Sequence, residues 1–146
     1  MKVSSVEGLE CIYCGSPATE RDHVIPHAIV NVALSSGEYP KRSFEDTEVV
    51  PACRDCNASL HSKMLLTIAD RAAWQAKRLK RKLDRTEKRA WTTQELEELG
   101  PTLRVYVIEK QRHKANLEQR LSRCEGVARL VDLTPVEYWL SDKAAG

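Results

Sequence analysis

Two Cys-x-x-Cys pairs limit the possible folds of this chain more than any other feature. Cys11 and Cys14 form the first pair, and Cys53 and Cys56 form the second. Four thiolates complete a closed tetrahedral zinc site, and two intervening residues let one tight turn present both sulfurs to the same metal. The alternatives are two unrelated reduced pairs and a redox site. A redox site would need only one pair, in a βαβ setting that this sequence does not show. The pairs therefore predict a structural zinc ion.

The remaining cysteine and the size of the chain fit this interpretation. Cys124 stands alone on a predicted helical face, where a small core residue is expected. The 146 residues have room for one compact domain, or for one small domain with a helical appendage. The first sixty or so residues are rich in turn signals and lack a helical period. Zinc-binding energy of about 10 kcal/mol or more would replace the missing core of such a segment.

The pattern of apolar residues divides the chain in two. We expect short strands near residues 10–13 and 20–25, and a turn at Pro51 that leads to the second cysteine pair. From Asn57 onward the period becomes helical. One long helical face is predicted from Leu65, Ile68, Ala69, Ala72, Ala76, Leu79 and Leu83. The fold class is therefore α+β, with a zinc-bound core at residues 1–66 and a helical extension at 67–146.

Three further helices are predicted after residue 90. Thr93 would cap a short helix that ends at Gly100, and Pro101 would start the next one. Thr134 would cap a last short helix. The packing stripe of the helix that starts at Pro101 would consist of Leu103, Tyr106, Val107, Leu117, Leu121 and Cys124.

Basic residues are concentrated between positions 77 and 89. Eight lysines and arginines fall there against Asp84 and Glu87, although the net charge of the chain is only +2. Such a concentration is a candidate phosphate-contacting surface, and a solvated helix face is the alternative. The candidate nucleic-acid contacts are Lys77, Arg78, Lys80, Arg81, Lys82 and Arg85.

The stretch "RDHVIPHA" (21–28) carries polar residues that suit a catalytic site. Asp22 and His23 are adjacent, so on an extended strand their side chains point to opposite faces. Asn57 directly follows Cys56, so a metal ion bound by Cys56 would fix the direction in which the Asn57 side chain points. His61 lies one helical turn further on the same face, as a further metal ligand or a phosphate contact.

Together, "CIYCG", "DHVIP" and "VVPACRDCN" resemble the zinc-knuckled branch of the HNH, or ββα-metal, endonucleases. The resemblance covers Cys11 to about Lys63. It implies that the four cysteines bind zinc and that Asp22 and Asn57 bind one catalytic Mg²⁺ or Mn²⁺ ion. It also implies that His23 is the general base. His27 would supply a hydrogen bond behind the site or a phosphate contact.

One position departs from the pattern of this family. Glu48 stands where an asparagine usually holds the loop that orients the histidine. A carboxylate accepts a hydrogen bond from a backbone N–H but cannot donate one to a carbonyl. The loop must therefore be fixed differently if the resemblance holds.

The leading functional hypothesis is a metal-dependent DNA endonuclease that nicks one strand per active site. Small nucleases of this pattern are typical of phages, so the resemblance implies a DNA-packaging partner or a homodimer. The alternatives are a catalytically silent zinc module that binds nucleic acid, and a helical arm that docks a protein partner. No apolar run approaches the ~20 residues that cross a membrane, and we expect a cytoplasmic protein.

Overall fold

The computed structural model describes residues 5–24, 49–61 and 63–130. Strands β1 (Glu20–His23) and β2 (Val49–Ala52) form an antiparallel two-stranded sheet. Four helices follow: α1 (Arg54–Leu60), α2 (Ile68–Asp84), α3 (Thr93–Glu97) and α4 (Pro101–Ala128). The predicted α+β class is confirmed. Within the described ranges no helix has the length and apolar character to span a membrane.

The sheet is smaller than the sequence predicts. β1 lies within the expected strand at 20–25, whereas the expected strand at 10–13 is reduced to a single bridge between Glu10 and Pro17. Pro51 lies inside β2, opposite Arg21, and not at a turn. A proline is tolerated in a strand where its missing N–H breaks no ladder bond. Its carbonyl accepts a hydrogen bond from the Ile12 N–H at 3.0 Å, which joins β2 to the turn of the first cysteine pair.

The helix expected from Asn57 onward is two helices. α1 already begins at Arg54 and ends at Leu60, because the next residue, His61, has a φ of 27° that stops the helical path. α2 then begins after Thr67, whose hydroxyl accepts a hydrogen bond from the Asp70 N–H. The apolar period continues across the interruption, so periodicity alone could not reveal it.

The later helix boundaries follow local capping chemistry. Thr92 caps α3, one residue before the predicted Thr93, because Thr92 and Glu95 have the spacing of a reciprocal capping box. Pro101 starts α4 as predicted. The predicted helix after Thr134 lies outside the described residues.

The core runs between α2 and α4 and continues to the cysteines. Leu79 of α2 is fully buried, as are Leu117 and Cys124 of α4. Leu103 and Tyr106, also predicted in the α4 stripe, are 52% and 55% exposed. α4 has 28 residues against 17 in α2, so its first turns extend beyond the end of α2. The buried cluster draws on both halves of the chain, and the predicted division at residue 66 stays a prediction.

A fully buried arginine joins α2 to the sheet. The Arg71 guanidinium forms a salt bridge with Asp22 at 2.8 Å, and its Nε donates to the Tyr13 hydroxyl at 3.0 Å. Its Nη1 donates to the Leu65 carbonyl at 2.9 Å and to the Val24 carbonyl at 3.4 Å. The Tyr13 hydroxyl donates to the Asp22 carboxylate. Burial raises the pKa of Tyr13, so the hydroxyl stays protonated as a donor. This network joins the turn of the first cysteine pair, β1 and α2 through the charge pair of Arg71 and Asp22.

Replacement of Arg71 by methionine should be strongly destabilising. Asp22 would remain buried without a counter-charge, and breaking a buried pair in this way costs about 3–5 kcal/mol. Denaturant unfolding in excess zinc measures this loss. The double variant Arg71→Met, Asp22→Asn should recover a large part of it, because it leaves no buried charge. Arg81→Met, at an exposed position of α2, is the control and should stay within about 0.5 kcal/mol of the unmodified protein. Equal losses in the single and double variants would contradict the charge-pair explanation.

Candidate metal centre

The four cysteines of the two pairs, Cys11, Cys14, Cys53 and Cys56, form one buried cluster. Their sulfur atoms all lie within 4.8 Å of one another. The Sγ atoms of Cys14 and Cys53 are 3.7 Å apart. Zinc–sulfur bonds of about 2.3 Å in a tetrahedron put neighbouring sulfurs about 3.8 Å apart. The four-cysteine cluster could therefore hold a metal ion, and its donor set and spacing suit zinc.

Two different backbone devices present the two pairs. The first pair lies on a turn in which the Gly15 N–H donates to the Cys11 carbonyl at 2.9 Å, and Gly15 has a φ of 77°. The second pair opens α1, with Cys53 as the N-cap and its sulfur 3.4 Å from the Cys56 N–H. The positive end of a helix dipole favours a thiolate there.

Hydrogen bonds among the four cysteines shift their pKa values in opposite directions. They lower the pKa of Cys53 to about 6 and also lower that of Cys14, whereas they raise the pKa of Cys11 and of Cys56. Two thiolates therefore accept from two thiols, and zinc binding would replace those two protons. Cys124 is fully buried but lies outside the four-cysteine cluster. Burial raises its pKa to about 12, so it remains a protonated thiol. It is a core residue, as predicted.

Two arginines connect the four-cysteine cluster to the long helices. Asp55, between the second pair of cysteines, accepts from Arg78 of α2 at 2.7 Å and from Arg120 of α4 at 2.6 Å. Hydrogen bonds from Arg78 and Arg120 hold the pKa of Asp55 well below its usual range. Arg120 also lies 4.0 Å from the Cys56 sulfur. A zinc ion with four thiolates carries a net charge of −2, and these guanidinium groups would offset it.

The predicted catalytic residues lie on β1 and α1. Asp22 is 3% exposed and points to Arg71, whereas the next residue, His23, is half-buried. The Asn57 amide donates to the Glu20 carboxylate at 2.6 Å, and this bond links α1 to β1. His61 is exposed at the end of α1. Asn57 therefore contacts Glu20 on the strand that also carries Asp22 and His23.

The described residues give no support to the predicted ligand set for a catalytic cation. Both Asp22 oxygens accept hydrogen bonds from Arg71, so the carboxylate is already neutralised by a cation. In the described part of the chain, the four-cysteine cluster is the one group of three or more His, Cys, Asp or Glu side chains with metal-binding geometry. The fit supports one metal ion at the cysteines and gives no support to Mg²⁺ or Mn²⁺ at Asp22, Asn57 and His61.

Most of the candidate nucleic-acid contacts are on the surface. Exposed positions on or just after α2 are Lys77, Lys80, Arg81, Lys82 and Arg85. Arg78 differs, because its side chain is 16% exposed and its guanidinium is bound to Asp55 and Gln75. His27 and Glu48 lie outside the described residues.

Sequence reasoning missed Arg71 and Arg120 and assigned Arg78 to nucleic acid. A charged residue within the apolar stripe of α2, directly before Ala72, was the available signal for Arg71. Arg120 has no such signal, since only the fold brings it to Asp55.

No protein-family model, no curated protein and no solved structure matches this chain.

Purified protein should contain one zinc ion per chain, and its removal should unfold the cysteine-bearing segments. Zinc-binding energy of about 10 kcal/mol or more would be lost with the metal. Elemental analysis measures the zinc content, and circular dichroism measures the loss of folded structure. The rate of thiol modification measures how accessible the cysteines become. Cys56→Ser should lose the metal, and Cys124→Ala, which removes an equally buried thiol, should retain it. Equal zinc content in the two variants would contradict the assignment.

Proposed function

We propose that the protein is an HNH-type endonuclease that hydrolyses phosphodiester bonds in DNA, with His23 as the general base. The observation that carries the proposal is the chain order β1–β2–α1 around the four-cysteine cluster. This order supports the resemblance, since the Asp-His pair belongs to β1 and Asn57 belongs to the helix that the second cysteine pair opens.

His23 would perform the proton transfer. An imidazole is a suitable base near neutral pH. The oxygen of a water molecule attacks the phosphorus while His23 takes one of its protons. The bond from phosphorus to the leaving sugar oxygen then breaks, and that oxygen takes a proton from solvent. His23 is the last residue of β1 and follows Asp22, whose side chain is bound by Arg71. This salt bridge fixes the strand that carries the base.

In this proposal Asp22 acts through its neighbour. Its salt bridge with Arg71 and its bond from Tyr13 fix the direction of β1 at the residue before the base. Asp22 is thus a positioning residue for His23. The resemblance also implies that cleavage depends on Mg²⁺ or Mn²⁺. Both Asp22 oxygens are bound by Arg71, so the described geometry does not offer Asp22 as a ligand for that cation.

The exposed basic residues of α2 would bind the DNA backbone. Contacts with phosphates release bound counterions, so the affinity of such a surface falls steeply as salt is raised. Lys77, Lys80 and Arg81 project from the helix that Arg71 attaches to the sheet. Backbone contact at this surface requires no sequence recognition.

The assay that tests the function is relaxation of supercoiled plasmid by zinc-loaded protein. We expect nicked circles to precede linear DNA, and His23→Ala to lower the rate by about 100-fold to 10,000-fold, the usual contribution of a general base. Parallel reactions with Mg²⁺, with Mn²⁺ and without either ion test the cation dependence. Glu125→Ala, at an exposed position of α4 away from β1 and from the basic residues of α2, is the surface control and should cleave normally.

The second candidate function is a catalytically silent zinc module that binds nucleic acid. The Asp22–Arg71 salt bridge favours it, because it removes from solvent the carboxylate that the resemblance assigns to the cation. DNA binding without cleavage, by folded protein that contains zinc, would establish this alternative. It would also contradict the nuclease proposal.

A further inference from the structure

A large basic cleft lies between the end of α2, the segment 85–91 and the N-terminal half of α4. Its volume is about 630 Å³, which is within the range of pockets that bind small organic ligands. None of the predicted catalytic residues lines it, and it shares only Lys82 and Arg85 with the predicted nucleic-acid contacts.

Two aromatic rings line the cleft, and a cation lies over each. The Arg89 guanidinium is 3.9 Å from the centre of the Trp91 ring, and the Lys110 ammonium is 5.0 Å from that of Tyr106. Tyr106 is 55% exposed. Aromatic rings that alternate with arginine and lysine offer flat apolar faces and positive charge within one cleft.

The charge of the cleft favours an anionic ligand. Five lysines and arginines line it against two carboxylates, those of Glu87 and Glu109. The basic residues are Lys82, Arg85, Arg89, Lys110 and Lys114. Part of this charge is already used, since Arg89 pairs with Glu95 at 3.3 Å and Lys82 lies 3.9 Å from the Asp55 carboxylate. Lys114 donates to the Glu87 carbonyl. A positive surplus remains beside the two rings.

A buried hydrogen-bond donor adds a second, independent sign of a ligand. Within the described part of the chain, the Trp91 indole N–H is buried and has no hydrogen-bond partner. Buried polar groups are rarely left in this state, and an unpaired one calls for an explanation. A carbonyl or phosphate oxygen of a ligand would supply the missing acceptor.

We propose that this cleft binds single-stranded nucleic acid. Single strands expose the faces of their bases, which stack on aromatic side chains, while lysine and arginine contact the phosphates. A duplex keeps its bases stacked within itself and would leave the Trp91 and Tyr106 rings unused. An acidic peptide would satisfy the charge but not the rings.

The test is binding of a fluorescent oligothymidylate of about a dozen nucleotides to full-length, zinc-loaded protein without Mg²⁺ or Mn²⁺. We expect the oligonucleotide to quench tryptophan emission and to bind more tightly than a duplex of equal length. Trp91→Leu should lose most of the quenching and weaken binding by about 5-fold to 100-fold, because one stacking platform is removed. Trp91→Phe keeps a stacking ring but removes the indole N–H, so it should bind more tightly than Trp91→Leu and more weakly than the unmodified protein. Trp74→Phe should retain the quenching.

A pair of charge variants tests the phosphate contacts. Lys110→Gln should reduce the dependence of affinity on salt. Arg129→Gln removes the same charge directly after α4, about 28 Å from Lys110 and beyond the screening distance. It should leave the salt dependence of the affinity unchanged.

Three results would overturn the proposal. They are equal affinity for single strand and duplex, unchanged binding by folded Trp91→Leu protein, and competition by polyglutamate as effective as that of unlabelled oligothymidylate. The last result would identify an acidic peptide site instead. The measurement requires no cleavage, so an inactive protein that still binds the oligonucleotide would refute the nuclease proposal and leave this inference intact.

Discussion

The salt bridge between Arg71 and Asp22 is the contact that ties the sheet to the helical half. Arg71 reaches across to the turn of the first cysteine pair through Tyr13 and to the loop before α2 through the Leu65 carbonyl. Buried ions cost several kcal/mol each unless they are paired and hydrogen-bonded, so Arg71 and Asp22 are stable in this core only together. The position of β1, and with it that of His23, follows from this requirement.

The four-cysteine cluster and its arginines form a second attachment that works by a different means. The cluster gathers negative charge at the start of α1, and Arg78 and Arg120 bring positive charge to it from α2 and α4. The long helices are thus attached through Asp55 as well as through Arg71. A metal ion bound by the cluster would therefore stabilise both the loop-rich segment and the attachment of α4.

Local chemistry accounts for what could be predicted from the sequence. The cysteine spacing, the proline that starts α4 and the α+β class each depend on a few adjacent residues. The break after α1 could not be predicted, because the apolar period continues across it. Arg71 was missed for another reason. Its role depends on partners that only the tertiary fold supplies, and the same holds for the salt bridge that Asp22 makes with it.

The register of the sheet has a consequence for what holds the two cysteine pairs together. His23 and Val49 are paired residues at the end of β1 and the start of β2. The chain therefore leaves the sheet and returns to it at neighbouring points, whatever number of residues lies between. Because the pairing of β1 with β2 holds both ends of this span together, the register of the cysteines, β1 and α1 depends on contacts that lie outside it.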